Sequence, residues 1–351
     1  MTDSTVHVAL LIVSYNGEPY LKDCLQSIEQ AAKPPLQLHT VVVDNASPDH
    51  TSQLIEKQYP HVHLVKSPTN LGFAGGNNLG WQYIREHLPQ VQFVMLLNQD
   101  AQLGESGILP LVTFMQDHPQ AGAGQPAIML HDDPSQLNTA GNQSHYLGFG
   151  IKTGYRESLE PNFAQPQQID FASGCSVMLR YDLLVAHGLF SDDLFMYLED
   201  AQLGWKLRLL GYENWYLPQV TVLHQYQYGA TLNSYEHLER NRWWMLLVFY
   251  RWPTLLLLLP ALMLMEIGQL LYAISQGQLR CKLRSYRPTD RKQRKAQRKR
   301  MQSLRVISDR KLTESFTASI PANELKHWAL QGIANPIFTL YWKLARLLLW
   351  W

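Results

Sequence analysis

The feature that most constrains this chain is the order of its first hundred residues. Short runs of apolar, β-type residues alternate with helical patterns, and each run ends in a polar cluster. Val8-Ala-Leu-Leu-Ile-Val13 is unbroken and stops at Ser14-Tyr-Asn-Gly17. An uninterrupted apolar run reads as a strand covered on both faces, as in a parallel sheet. Glu18 to Ala32 then carries Leu21, Leu25 and Ile28 at helical spacing, and Pro34-Pro35 closes it. Leu38 to Val43 is a second strand, ending at Asp44-Asn-Ala-Ser47. A helix over Thr51 to Gln58, a strand over His63 to Lys66 and a helix over Asn77 to His87 follow. Val91 to Leu97 is a fourth strand, ending at Asn98-Gln-Asp100. This alternation predicts an α/β fold with a doubly wound, Rossmann-like, mostly parallel central sheet. Ligands of such sheets sit beyond the carboxyl ends of the strands, which is where the polar clusters fall.

Further along, residues 120–170 are rich in Gly, Pro, Gln and Asn and carry no clear period. Phe171 to Arg180 resumes a strand pattern, Phe195 to Gly211 reads as a loop and a helix, and Gln219 to Leu223 is strand-like before His224. Near Arg240 the composition changes. These shifts predict a catalytic domain over 1–240, an apolar, membrane-associated helical segment over 241–279, a basic stretch over 280–311 and an amphipathic, aromatic-rich tail over 312–351. A hydrophobic content of 46% excludes global disorder. A formal net charge of +1 does not point to nucleic acid, but its uneven spread suggests a local anionic partner. Cys24, Cys175 and Cys281 form neither a zinc spacing nor a disulfide framework, which fits a reducing compartment. Met1 to His7 lacks the layout of a secretory signal, so the catalytic part is expected in the cytoplasm.

Several residues at the strand ends could carry chemistry, and each has a plainer reading. Asp44 can accept bonds from a base edge or ribose hydroxyls, or it can cap a turn or helix. Ser47 reads as that cap and Asn45 as a turn residue. Asn70-Leu-Gly-Phe-Ala-Gly-Gly-Asn-Asn78 sets three glycines before a helix. It could bring backbone close to a phosphate, or be an ordinary loop. Asp100 could ligate a divalent cation that bridges a diphosphate, or close a turn. Mg²⁺ or Mn²⁺ there would neutralise a leaving nucleoside diphosphate. Glu199-Asp200 either places acidic charge at a helix start or supplies a general base for an acceptor hydroxyl. His224 could ligate the metal or touch the diphosphate, or be structural.

Taken in order, Val13-Ser-Tyr-Asn-Gly17, Val43-Asp-Asn-Ala-Ser47, Asn70 to Asn78, Leu97-Asn-Gln-Asp100, Ser173-Gly-Cys-Ser-Val-Met-Leu-Arg180, Gly188-Leu-Phe190 and Phe195-Met-Tyr-Leu-Glu-Asp200 resemble family 2 of the inverting glycosyltransferases. The resemblance covers roughly residues 8 to 230 and is nearest the bacterial rhamnosyltransferase-like branch. It implies the GT-A fold and a nucleotide-diphosphate sugar, rhamnose by the branch, as donor. The implied acceptor is lipid-linked or a cell-envelope glycan. It implies that Ser14, Tyr15, Asn16 and Asp44 hold the nucleoside, and groups Asn70, Gly72 and Asn77 with that site. Asn98, Gln99 and Asp100 stand at the family's Asp-x-Asp position, with Asp100 as the expected metal ligand; His224, outside the matching motifs, is a second candidate ligand on residue type and position alone. Asp200 stands at the position of the catalytic base, and the implied reaction is direct displacement with inversion. Asp44, Asp100 and Asp200 are then expected to converge on one cleft. Two positions depart from the pattern: Asn98 leaves one carboxylate in the triplet, and Gln202 replaces an acid that many relatives carry. A non-catalytic sugar-binding protein of the same fold, or a membrane-surface scaffold, are the competing readings.

Trp252 to Glu266 is apolar but interrupted by Pro260 and Glu266. A spanning helix needs about 20 apolar residues, so the segment reads as membrane-embedded or interfacial, or as a core helix pair. Trp243, Trp244 and Trp252 would then sit at headgroup level. The basic run from Arg280 to Arg300 reads as a stretch that binds anionic lipids, or as a solvated or RNA-binding tail. Lys343, Arg346 and Trp350-Trp351 mark a second interfacial helix. The expected location is the cytoplasmic face of the inner membrane.

Overall fold

The computed structural model describes residues 5–225, 232–287, 290–322 and 326–351; the first four residues of the polar leader lie outside the described residues. In chain order the elements begin β1 (Val6–Ser14), α1 (Leu21–Ala31), β2 (Leu36–Asp44), α2 (Thr51–Gln58), β3 (His63–Lys66), α3 (Gly72–His87), β4 (Phe93–Leu97) and β5 (Ala101–Leu103). Next come α4 (Leu109–Asp117), β6 (Ala121–Leu130), β7 (Leu137–Thr139), β8 (Asn142–Ser144), β9 (Gly150–Lys152), β10 (Gln167–Ile169), β11 (Ser176–Arg180), α5 (Tyr181–His187), α6 (Glu199–Leu209) and β12 (Glu213–His224). The chain continues with α7 (Leu232–Phe249), α8 (Trp252–Ser275), α9 (Leu279–Ser285), α10 (Arg291–Leu304) and α11 (Asp309–Leu312). A π-helical turn, Leu330–Ala334, leads into α12 (Asn335–Leu348).

Of the described residues, those within Met1–Gly141, Thr153–Phe195 and Glu213–Gln227 form one compact unit, and those within Asn142–Lys152, Met196–Tyr212 and Tyr228–Trp351 form another. The compositional boundary near 240 is therefore not where contacts divide. The hairpin of β8 and β9, and α6, group with the C-terminal helices because their buried side chains find partners there.

The sheet unit has strand order β10-β12-β6-β11-β4-β1-β2-β3, with β5 on β12 and β7 on β6. Strands β4, β1, β2 and β3 are parallel neighbours, while β11 runs antiparallel to both β4 and β6. The sheet is thus mixed, its parallel half built from the four strands read in the sequence. Leu10, Leu11 and Ile12 are fully buried, and each such side chain contributes about 1.5–3 kcal/mol on leaving water. From β1 the chain winds to β2 and β3 on one side, then returns to place β4 on the other. That reversal makes the gap between the carboxyl ends of β1 and β4 the topological switch point, where α/β sheets bind ligands.

Helix α3 starts at Gly72, five residues earlier than the sequence pattern suggests, so the glycines lie inside it. The reason is close packing. A Cβ on Gly76 would meet Val13 at 2.6 Å, and one on Gly80 would meet Leu11 at 2.2 Å.

The helical unit is organised around Trp205, whose ring lies 4.8 Å from Phe316 and 5.3 Å from Tyr250 and whose Nε1 donates to Ser144 Oγ at 2.8 Å. The last carbonyls of α7 have no partner within that helix. Side chains of α10 cap them: Arg298 donates to the carbonyls of Leu247 and Tyr250, and Gln302 to those of Val248 and Phe249. Part of the basic run is therefore internal framework, not a solvated tail. Lys282 is wholly buried as well, bonded to Glu239 at 2.6 Å and to Glu266 at 2.8 Å. Arg242 completes the cluster on the same two carboxylates. Burial alone would raise the Glu239 pKa, but Arg242 and Lys282 outweigh it and hold the group down at about 2. Two carboxylates against two cations leave the buried cluster neutral, the condition under which such charges are tolerated.

Among the described residues, α8 is one helix long and apolar enough to cross a membrane. It exposes Leu256, Leu259, Met263, Ile267, Leu271 and Ile274 along one face. Its other side is held in the protein, through Glu266 and through a bond from Tyr341 of α12 to the Leu257 carbonyl. Of the tryptophans expected at headgroup level, Trp252 is 60% exposed. Trp244 is not at a surface: it is buried edge-on to Phe249, because α7 turns that position toward the core.

Candidate active site

Two loops meet at the switch point. Ser14 ends β1 opposite Asp44 in register, and the Asn45 amide donates to the Ser14 carbonyl at 2.8 Å. Across the gap, Gln99 from the end of β4 acts as a clasp. Its Oε1 accepts from Ser14 Oγ at 2.7 Å and from the Tyr15 amide at 3.0 Å, while its Nε2 donates to the Tyr15 carbonyl at 3.1 Å. A side-chain amide that bonds both backbone groups of one residue imitates a ladder partner and fixes that loop. Gly17 is required here, because a Cβ would lie 2.0 Å from Ser14 Oγ. Asn16 takes a left-handed conformation, φ 53°, which Asn tolerates better than most residues. Tyr15 and Asn16 are exposed on the outer rim.

Asp44 is buried at the end of β2. Its Oδ1 accepts from the Ser47 amide at 2.9 Å and its Oδ2 from the Ser52 hydroxyl. A carboxylate offers about four acceptor positions, so the turn occupies part of its capacity. Asn45, read as a turn residue, does more. Its Nδ2 donates to the Asn70 Oδ1 and the Gly72 carbonyl, and its Oδ1 accepts from the Leu71 amide at 2.8 Å. It ties the loop after β2 to the start of α3. Gly72, at φ +71°, faces protein: a Cβ would sit 2.2 Å from the Phe195 carbonyl. Asn77 is buried within α3 and donates to the Phe73 carbonyl at 2.9 Å. The two therefore shape the wall behind the loop.

At the end of β4, Asn98 and Asp100 meet His224 from the end of β12. The antiparallel pairing of β5 with β12 sets His224 opposite Ala101, beside Asp100. His224 Nε2 lies 3.4 Å from Asp100 Oδ1 and 3.5 Å from Asn98 Nδ2, and Nδ1 faces Asn138 Oδ1 at 3.3 Å. Burial alone would discharge this ring, but Cys175 and Asp100 outweigh it and push the pKa up to about 10. Cys24, below the site, stays a thiol because it is buried, and donates to the Asn98 carbonyl at 3.7 Å. Asn138 carried no sequence signal: it lies in the unperiodic stretch and acts only through its distant partner.

Among the described residues no cluster of three or more His, Cys, Asp or Glu is placed to hold a metal. Asp100 and His224 are a pair. Mg²⁺ suits such a partial set, since it takes one or two protein ligands, substrate phosphates and water at about 2.0–2.1 Å. Adjacent ligands of such an ion stand about 3 Å apart, close to the 3.4 Å between Asp100 Oδ1 and His224 Nε2. The pair fits a divalent cation once the ring gives up its proton, as ligation requires.

Asp200 belongs to the helical unit, at the start of α6. The two preceding residues, Tyr197 and Leu198, are both left-handed, at φ 69° and 63°. Strain of this kind costs about 1–3 kcal/mol per residue and clusters at functional sites. Asn241 of α7 secures the turn, its Nδ2 donating to the carbonyls of Met196 and Tyr197 at 2.9 and 2.7 Å. The turn aims Glu199 inward and leaves Asp200 half-buried, its Oδ1 accepting from the Ala201 amide at 2.7 Å. Burial, reinforced by the Asp200 charge, pushes the Glu199 pKa up to about 8. Glu199 keeps its proton at neutral pH. The burial that raises this pKa is tertiary and leaves no mark in the local sequence.

Residues 9–187 match the model of the glycosyl transferase family 2. The chain is 29% identical over 261 residues to the N-acetylglucosaminyl-diphospho-decaprenol L-rhamnosyltransferase of Mycobacterium tuberculosis, covering 69% of this chain and 82% of that protein. It is 21% identical to the rhamnosyltransferase WbbL of Escherichia coli, covering 62% of this chain and 83% of that one. Among solved structures it resembles GalNAc-T7 with UDP, GalNAc and Mn2+, at a TM-score of 0.56 and 14% identity, over 71% of this chain and about half (49%) of the other. That likeness identifies the fold as GT-A. The family match spans just over half of the chain and includes the β1, β2 and β4 ends described above. The chain belongs to glycosyl transferase family 2 and is a glycosyltransferase of the rhamnosyltransferase-like branch.

Proposed function

We propose that this enzyme moves a hexose, rhamnose by its branch, from a nucleoside-diphosphate donor to a lipid-linked or cell-envelope glycan, with inversion. The observation that carries the donor site is the pairing of Asp100 and His224 at the topological switch point, beside the clasped Ser14–Gly17 loop. In this reading Tyr15, Asn16 and Asp44 contact the nucleoside, while Gln99 and Asn98 hold the loops that shape its pocket. Asn70, Gly72 and Asn77 support that wall from behind. A divalent cation, Mg²⁺ or Mn²⁺, held by Asp100 and His224 would neutralise the departing diphosphate. The acceptor hydroxyl oxygen bonds to the anomeric carbon as the bond to the diphosphate oxygen breaks. The hydroxyl proton passes to Asp200. Glu199, protonated beside it, adds no second negative charge next to that base.

The same proposal places the enzyme on the cytoplasmic face of a membrane. The exposed apolar faces of α8 and of α12, where Leu340, Leu344 and Leu347 are exposed, support it. A helix apolar on its outer side and pinned on its inner side lies in the interface rather than spanning it. Exposed Arg280, Arg284, Lys292 and Lys295 would meet anionic headgroups.

A screen of nucleotide sugars by thermal stabilisation, with and without Mn²⁺, tests the donor site. One nucleoside diphosphate should raise stability by about 2.7 kcal/mol at a hundred-fold excess over its Kd, and Asp100→Asn should remove the Mn²⁺ dependence. No stabilisation by any nucleoside diphosphate would refute the reading.

A further inference from the structure

Asn138 is buried beside His224 at a cost that packing does not explain. It is 2% exposed, and its Nδ2 has no hydrogen-bond partner among the described residues. A buried amide donor left unpaired lowers stability, and native proteins keep few of them. A Leu or Val here would avoid that cost. The other end of the same amide is in use: Asn138 Oδ1 lies 3.3 Å from His224 Nδ1. The backbone aims it there. β7 pairs with β6 by setting Leu137 opposite Met129 and Thr139 opposite Ile128. Ile128 and Met129 are consecutive, whereas Leu137 and Thr139 are not, so Asn138 is the extra residue of a β-bulge. Bulges break the in-and-out alternation of a strand, re-aim a side chain and recur next to active sites. In consequence Leu137, Asn138 and Thr139 are all buried. β12 occupies the other edge of β6 and sets His224 opposite Leu130. The bulge thus lets Asn138 meet His224 across an intervening strand, from 86 residues away in the chain.

The two ring nitrogens of His224 face different groups. Nε2 lies 3.4 Å from Asp100 Oδ1, and Nδ1 faces Asn138 Oδ1. Nε2 can take a cation only with its lone pair free, so the remaining ring proton must sit on Nδ1. An amide oxygen facing Nδ1 accepts that proton and offers none in return. Reversing the Asn138 amide would set an N–H against Nδ1, move the ring proton to Nε2 and block ligation. Partners behind a ligating imidazole fix both its tautomer and the angle of its ring. We infer that Asn138 is a positioning residue: it holds His224 with Nδ1 as the donor and Nε2 presented beside Asp100 to the divalent cation. The inference rests on the proposed metal pair and adds what decides which nitrogen that pair presents.

The test compares the full chain with Asn138→Leu, which is close in size but has no acceptor, and with Asn138→Asp, which keeps an oxygen in place. Mn²⁺ alone is the probe, its binding followed by loss of the free-ion electron paramagnetic resonance signal. Asn138→Leu should weaken Mn²⁺ binding about 10- to 100-fold, the usual loss for partners behind a ligand, while Asn138→Asp should stay within about three-fold of the wild type. His224→Ala is the reference for the pair itself. Wild-type affinity in Asn138→Leu alongside a loss in His224→Ala would overturn the inference and leave the metal pair standing. An equal loss in both Asn138 variants would also overturn it, because the acceptor oxygen would then not matter. No Mn²⁺ binding by the wild type, or no loss in His224→Ala, would instead remove the metal pair. Nitrogen-15 spectra of the histidine rings then decide the orientation without any metal. A hydrogen-bonded Nδ1 proton that His224→Ala deletes should be present in the wild type and Asn138→Asp and absent from Asn138→Leu. Its survival in Asn138→Leu would refute the role of Asn138. Asn138→Ala repeats both measurements if Asn138→Leu fails to fold.

Discussion

The sheet unit and the helical unit use charge in opposite ways. In the sheet unit, Lys66 and Glu56 pair at 2.7 Å with both side chains about half exposed, at 52% and 53%. In the helical unit, Arg242 and Glu239 pair at 2.8 Å with side chains 1% and 4% exposed, and Lys282 joins them fully buried. The sheet fills its interior with apolar side chains and puts its chemistry at the strand ends, where topology leaves a gap. The helical unit is organised differently. It spends inward-facing charges on holding α7, α8 and α9 in one arrangement, and its outer face is apolar. A polar residue at a strand end in the first unit is a candidate for function, while a charged residue in the second must be tested first as framework.

The largest expected effect falls on the one helical-unit acid assigned to chemistry. Asp200→Asn should lower the transfer rate about 10²- to 10⁴-fold, the usual contribution of a general base, with nucleotide affinity within two-fold. Glu199→Gln is its control. It preserves the proton that the buried acid already holds, so it should cost less than two-fold in rate at pH 7. If both substitutions had equal effects in product-formation assays, the division of roles between the two acids would be wrong.

Lys282→Met should destabilise the helical unit by about 3–5 kcal/mol, the cost of stranding one buried charge. Eight of the ten tryptophans belong to that unit, so denaturant titration followed by tryptophan fluorescence reports it directly. A loss below 1 kcal/mol would mean that the cluster is not framework. Acid should act on the same cluster. The Glu239 pKa is about 2 in the folded state against an ordinary 4.5, so its stabilisation is present above pH 4.5 and lost as the pH falls toward 2. The loss is about 3 kcal/mol over that window. Glu199 has the opposite sign. Its pKa is raised, so the folded state binds the extra proton and stability falls as pH rises from 4.5 to about 8. Melting curves across pH for wild type, Glu239→Gln and Glu199→Gln separate the two slopes.

The smallest effect sharpens the contrast from the other side. Lys66→Met breaks an exposed pair and should cost no more than about 1 kcal/mol, an effect that 1 M salt also erases in the wild type. A cost near that of Lys282→Met would end the distinction between the units.

Local pattern alone was enough to place β1 to β4, the helices between them and the polar clusters that close them, because periodicity and punctuation are properties of neighbouring residues. Asp44, Asp100 and the Ser14–Gly17 loop were legible on that ground, and so was the apolar stretch of α8. Tertiary structure decided matters that depend on distant partners. It set His224 against Asp100, drew the glycines of a segment read as a phosphate-binding or ordinary loop into α3, where Gly76 packs on Val13, and buried Trp244. It also sorted the basic run into inward residues, Lys282 and Arg298, and those that line a cavity, Arg291 and Arg294. Charge is visible in a sequence, but whether it meets a carboxylate, a helix end or open space is fixed only when segments far apart in the chain come together.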